Sequence, residues 1–184
     1  MKKNDLMINN ILKFWFFECT EKDWFKKDLK FDQLIQKKFL KSVKDALQNK
    51  LNLWENSSDG CLALILLLDQ FTRNIYREDP KSFSGDDKAL EISLNCIETG
   101  LLQVYNEKER QFIMMPMMHS EDLSVQENSL LFFKKYSNAK VFDFALKHRD
   151  IIKRFGRFPH RNKILSRPST EEELEFLKKP GSSF

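Results

Sequence analysis

The sequence predicts an all-α protein. Valine and threonine occur only four times each in 184 residues, and no stretch alternates apolar and polar residues with period two. Apolar residues instead recur at three- and four-residue steps between recognisable caps. About eight helices are expected, joined by short loops into antiparallel hairpins around one buried central helix. The length is that of one domain, residues 1–184, large enough to bury a core.

The first helix is expected from Asp5 to Phe17, burying Ile8, Ile11, Leu12, Trp15 and Phe16. Trp24 and Phe25 are read as part of a loop. A strongly amphipathic helix follows, with Phe31, Leu34, Ile35, Phe39, Val43, Ala46 and Leu47 on one side and Asp32 as N-cap. The turn cluster Asn56-Ser57-Ser58-Asp59-Gly60 launches a third helix over Cys61 to Arg77. Its opening run of apolar residues, Cys61 to Leu68, must be covered on every side, so this is the central helix. The run is far shorter than the roughly 20 residues a membrane span requires.

Asp79-Pro80 ends the central helix, and Ser84 with Asp87 reads as a capping box for a helix stopping near Gly100. Asn106 with Glu109 signals the next start, and Pro116 should bend or interrupt that helix just before His119. Helices are then expected over Asp122 to Lys135 and over Asn138 to Phe155, the latter stopped by Gly156. A Thr170/Glu173 capping box opens a short last helix that ends before Pro180-Gly181. No repeat of fixed period is present.

A formal net charge of +4, with lysines interleaved among acids, describes solvated helix faces and gives no reason to expect nucleic-acid binding. Cys19, Cys61 and Cys96 are far apart and form no CxxC pair, so neither a disulfide framework nor a metal site is expected. No membrane association is expected either. The N-terminus lacks the apolar stretch of a secretion signal, and a cytoplasmic location is the expectation. There is no Gly-rich phosphate loop, GxSxG elbow or HExxH, and no cofactor is called for.

Arginine carries the functional signal. Lysine is spread along the whole chain, yet seven of the eight arginines fall in two segments, CLALILLLDQFTRNIYR and HRDIIKRFGRFPHRNKILSR. The guanidinium is a planar fork that grips carboxylate or phosphate from two sides, which lysine cannot do. Asp69, Arg73 and Arg77 are spaced to share one helical stripe, with Asp69 placed to pair with Arg73. The end of the penultimate helix and the loop after it add Arg154, Arg157, His160, Arg161 and Asn162, and both segments contain an Arg-Asn pair, Arg73-Asn74 and Arg161-Asn162. Two readings stand side by side. In one, the two segments converge on a polar centre that binds a small anion or an acidic protein segment, with Asp69, Arg73, Asn74, Arg154, Arg157, His160, Arg161 and Asn162 as its residues. In the other, they form an ion-pair network that only locks helices together. His119, ahead of Ser120-Glu121-Asp122, is the candidate general base, with Glu121 to orient it, should the centre be that of a hydrolase or transferase acting on a phosphorylated or carboxylated small molecule. His148 shares an apolar face with Val141, Ala145 and Ile152 and reads as a core histidine.

Taken in order, FWF, LILLLDQFTRN, ERQF..MP..HSEDL..Q and RFGRFPHRN..L.R.ST.EE..FL resemble a bacterial family known only as domain of unknown function 924. The resemblance runs from Phe14 to Leu177 and implies an all-α fold similar to tetratricopeptide-like helical arrays, with no activity attached. The family's polar positions fall here on Asp69, Gln70, Arg73, Asn74, His119, Ser120, Glu121, Gln126, His148, Arg154, Arg157, His160, Arg161 and Asn162. Thr72 stands where the family usually has proline, so the central helix is expected to bend less here.

Overall fold

A computed structural model describes residues 3–183. It contains nine helices and no strands among those residues. Helix α1 spans Lys3–Lys13 and continues as a π-helical turn over Phe14–Glu18. Helix α2 is Glu21–Phe25 and α3 is Leu29–Leu47. Helix α4 runs from Ser58–Ile65 through a π-helical segment, Leu66–Phe71, to Thr72–Ile75. Then come α5 (Asp86–Glu98), α6 (Glu107–His119), α7 (Leu123–Tyr136), α8 (Ala139–Phe155) and α9 (Glu171–Leu177).

The central helix is where the apolar run placed it. Every residue from Gly60 to Thr72 is buried, and α4 packs against α1, α3, α5 and α6. From α5 onward each long helix packs on the next, α5 on α6, α6 on α7, and α7 on α8. Around the N-terminal half of the core sits an aromatic cluster. Trp15 lies 5.2 Å from Phe71 and 5.6 Å from Phe112, centroid to centroid, and its carbonyl accepts the Trp24 indole N–H at 3.0 Å. A smaller apolar cluster of Ile151, Ile152 and Phe158 lies under the C-terminal segment. No helix among the described residues is long and apolar enough to cross a membrane.

Several boundaries depart from the sequence reading. Trp24 and Phe25 lie on a short helix, because Thr20 and Asp23 form a reciprocal capping box ahead of them. Helix α3 starts one turn earlier than expected: Asp28 caps it, accepting from the amides of Lys30 and Phe31. Asp32 is thereby released to a different job inside the protein. Pro116 does not interrupt α6, which continues to His119. Gly85, with no side-chain cap, precedes α5 in place of the expected Ser84 box. The Asn106/Glu109 and Thr170/Glu173 boxes and the left-handed Gly156 at φ 67° stand as read, and Asp122 and Asn138 cap the two helices expected to begin there.

Candidate functional site

The centre is assembled from α4, the start of α5, the end of α6 and the loop after α8. The π segment of α4 carries Asp69, whose carboxylate is fully buried. Widened turns of this kind recur at functional sites because they displace one side chain from the helical register. Thr72, just beyond it, donates its hydroxyl to the Leu68 carbonyl at 2.7 Å. This bond keeps the helix closed where a proline would have left that carbonyl without its usual partner.

Asp69 meets His119, fifty residues on. The Asp69 Oδ1 to His119 Nδ1 distance is 2.7 Å, while Gln70 Nε2 donates to Oδ2 at 2.5 Å. Burial alone would raise the Asp69 pKa, but His119, Arg73 and the Gln70 amide outweigh it and hold it near 2. An ionised carboxylate only accepts, so Nδ1 of His119 carries the proton and donates it. The other ring nitrogen, Nε2, makes no hydrogen bond among the described residues. Glu121, expected to orient this histidine, is engaged elsewhere. It accepts the Phe158 amide at 2.8 Å and a two-pronged grip from Arg167 at 2.6 and 2.9 Å. The orienting carboxylate at His119 is Asp69.

Arg73 projects from α4 onto α5. Its fork holds Asp86 at 2.7 and 2.9 Å, it also donates to the Ser82 carbonyl, and Asp69 lies 3.6 Å away. Asp86 comes within reach because Gly85 lets the backbone pass against α4. A Cβ on Gly85 would stand 2.3 Å from the Leu68 carbonyl oxygen. Arg161 approaches Asp86 from the other side, with Nη1 at 3.5 Å, and donates Nη2 to the His119 carbonyl at 3.0 Å. Its guanidinium lies against the rings of Phe158 and Phe83, 4.5 and 4.9 Å from their centroids. The Arg161 side chain is 9% exposed, and its Nε is buried with no hydrogen-bond partner. Burial and the neighbouring Arg73 charge lower its pKa to about 10, so it stays a cation at neutral pH.

A cleft of about 210 Å³ opens onto this cluster, walled by His119, Arg161, Asp86, Asp87, Phe83 and Glu121 together with Leu90, Pro116 and Ser120. The remaining residues read from the sequence lie apart from it. Arg77 falls beyond the helix end at Ile75, so the expected stripe stops at Arg73. Arg77 and Asn74 turn instead to Asp32 of α3, at 2.6 to 2.8 Å, and tie α3 to α4. Arg154 pairs with Glu172, and Arg157 with Glu173 and the Pro168 carbonyl. Asn162 donates to Ser169 and Glu173. These three fasten the end of α8 and the loop after it to α9, and their donors face α9 rather than Arg73. His148 is buried and donates Nδ1 to the Phe144 carbonyl. Burial and its neighbour His119 drop its pKa to about 3, as burial and Arg161 drop that of His160 to about 4. No group of three histidines, cysteines or acids able to hold a metal occurs among the described residues.

Two residues of the cluster escaped the sequence reading. In the sequence Asp86 is one acid among twenty-seven, and Phe83 one phenylalanine among seventeen. Their only signal was position, just after the end of the arginine-bearing helix.

The sequence profile of a family described as "Bacterial protein of unknown function (DUF924)" matches residues 11–181. Among solved structures, a protein of unknown function from Agrobacterium tumefaciens is similar, at 34% identity and a TM-score of 0.90, covering 95% of this chain and 98% of that one. No curated protein matches the chain.

Proposed function

The chain belongs to this bacterial family of unknown function, and from the geometry of its cleft we propose that it is an acid–base enzyme acting on a small molecule that bears an anionic group. The observation that carries this reading is the Asp69–His119 pair. A fully buried carboxylate fixes the tautomer of a histidine whose side chain remains 19% exposed on a cleft wall. A network whose only work is to lock helices has no need to leave one imidazole nitrogen without a partner. In this reading His119 Nε2 takes or delivers the proton, Asp69 keeps the ring oriented and stabilises its charged form, and Arg161 receives the anionic group. Arg73 is a supporting residue, because its fork is already filled by Asp86 and Ser82. The protein works in a reducing compartment such as the cytoplasm, which suits its three unpaired cysteines.

The test is to incubate the protein with a mixture of small carboxylates and phosphate esters and follow their loss by mass spectrometry. Wild type should consume at least one compound, and His119→Gln should not. If neither protein consumes any, but anions still raise the melting temperature in an Arg161-dependent way, the site is a binding module without chemistry.

A further inference from the structure

The polar groups on the cleft wall that remain unengaged differ in sign. Of its three carboxylates, Asp86 is gripped by Arg73 and flanked by Arg161, and Glu121 is gripped by Arg167. Asp87, on the exposed rim in the first turn of α5, makes no hydrogen bond or ion pair among the described residues. Arg161, buried to nine-tenths, lines the same cleft with its Nε unpartnered. His119, with an open Nε2, lines the cleft as well. The wall therefore offers one cation, one anion and one proton-transfer group.

We propose that the ligand is a compact zwitterion, an amino acid or a close analogue, with its carboxylate on Arg161 and its ammonium on Asp87. This rests on the acid–base reading above and narrows its substrate class. A doubly charged phosphate fits less well, since it would bring two negative charges beside Asp86, Asp87 and Glu121 with one partly engaged guanidinium to receive them. A simple monocarboxylate satisfies Arg161 but leaves Asp87 without a counter-charge. Size agrees: about 210 Å³ is the room of roughly seven water molecules, below the range of pockets for drug-sized ligands.

The experiment measures melting temperature against concentration for each common L-amino acid, its N-acetyl derivative, its decarboxylated amine, and inorganic phosphate. At least one free amino acid should raise the melting temperature. Decarboxylation should weaken the apparent affinity by about tenfold or more, and N-acetylation, which removes an exposed ion pair, by about two- to fivefold. In Asp87→Asn, an exposed change that leaves the cluster intact, the preference for the free amino acid over its N-acetyl form should disappear while carboxylate binding persists. Arg161→Gln should abolish both. The proposal is overturned if no amino acid stabilises the protein, if the N-acetyl form or phosphate does so equally well, or if Asp87→Asn leaves the preference unchanged. Arg161-dependent stabilisation by phosphate or acylated acids alone would reject the zwitterion and keep the anion site. No Arg161-dependent stabilisation by any compound, with no turnover, would reject both.

Discussion

At the scale of single residues, the cluster shows what the choice of arginine, aspartate and histidine accomplishes. Asp69 is buried without solvent, so its charge persists only because His119, Arg73 and Gln70 surround it. Asp69→Asn should lower stability by about 3 kcal/mol, the cost of taking the buried carboxylate from between Arg73 and the His119 N–H. It should also abolish turnover by freeing the histidine to adopt the other tautomer, and chemical denaturation beside an activity assay would check both. The histidines set the pH dependence. His148 and His160 titrate near 3 and 4 in the folded protein but near their ordinary value when unfolded. The unfolded chain therefore binds about two more protons over that interval, so the stability is full above about pH 6.5 and lost as pH falls. Melting temperature measured from pH 7 to 4 should decline steadily, and His148→Gln should remove about one proton from the slope. The arginine clustering was legible in the sequence, whereas the partner of each arginine was not. Asp69 and His119 are fifty residues apart, and local spacing carries no trace of that contact.

At the scale of elements, the legible signals were those that act within four residues. The boxes at Asn106/Glu109 and Thr170/Glu173 and the Gly156 stop are short-range chemistry and fall where composition put them. Pro116 misled because tertiary burial outweighs a lost backbone bond: Phe112 to Met118 are all buried, and this packing holds α6 together. Asp32 misled for a related reason. It looked like a cap but is drawn inward by Arg77 and Asn74, leaving the capping to Asp28. The junction between α4 and α5 is the element-level determinant of the site. Gly85→Ala would drive a methyl group into the Leu68 carbonyl, so the two helices must part. We expect a loss of roughly 2–4 kcal/mol in urea unfolding, with Asp86 drawn away from Arg73.

At the scale of the whole molecule, two kinds of arginine work coexist. Arg154, Arg157 and Arg167 bind the C-terminal segment to the body through Glu172, Glu173 and Glu121. Glu173 is buried and accepts from Arg157, Asn162 and the Thr170 amide. Glu173→Gln should therefore cost about 1–3 kcal/mol in thermal unfolding and leave anion binding at the cleft intact. Of the seven clustered arginines only Arg161 lines the cleft, so the proposed ligand contact narrows to one. The central claim is that His119 offers Nε2 as its working nitrogen because Asp69 holds the proton on Nδ1. Nitrogen-15 NMR of the imidazoles, recorded where the rings are neutral, reads this directly. The account predicts His119 with its proton on Nδ1 in a strong hydrogen bond, and an Nε2 resonance that moves when a small carboxylate is added to wild type but not to Arg161→Gln. A His119 protonated on Nε2, or an Nε2 that ignores every added anion, would contradict it.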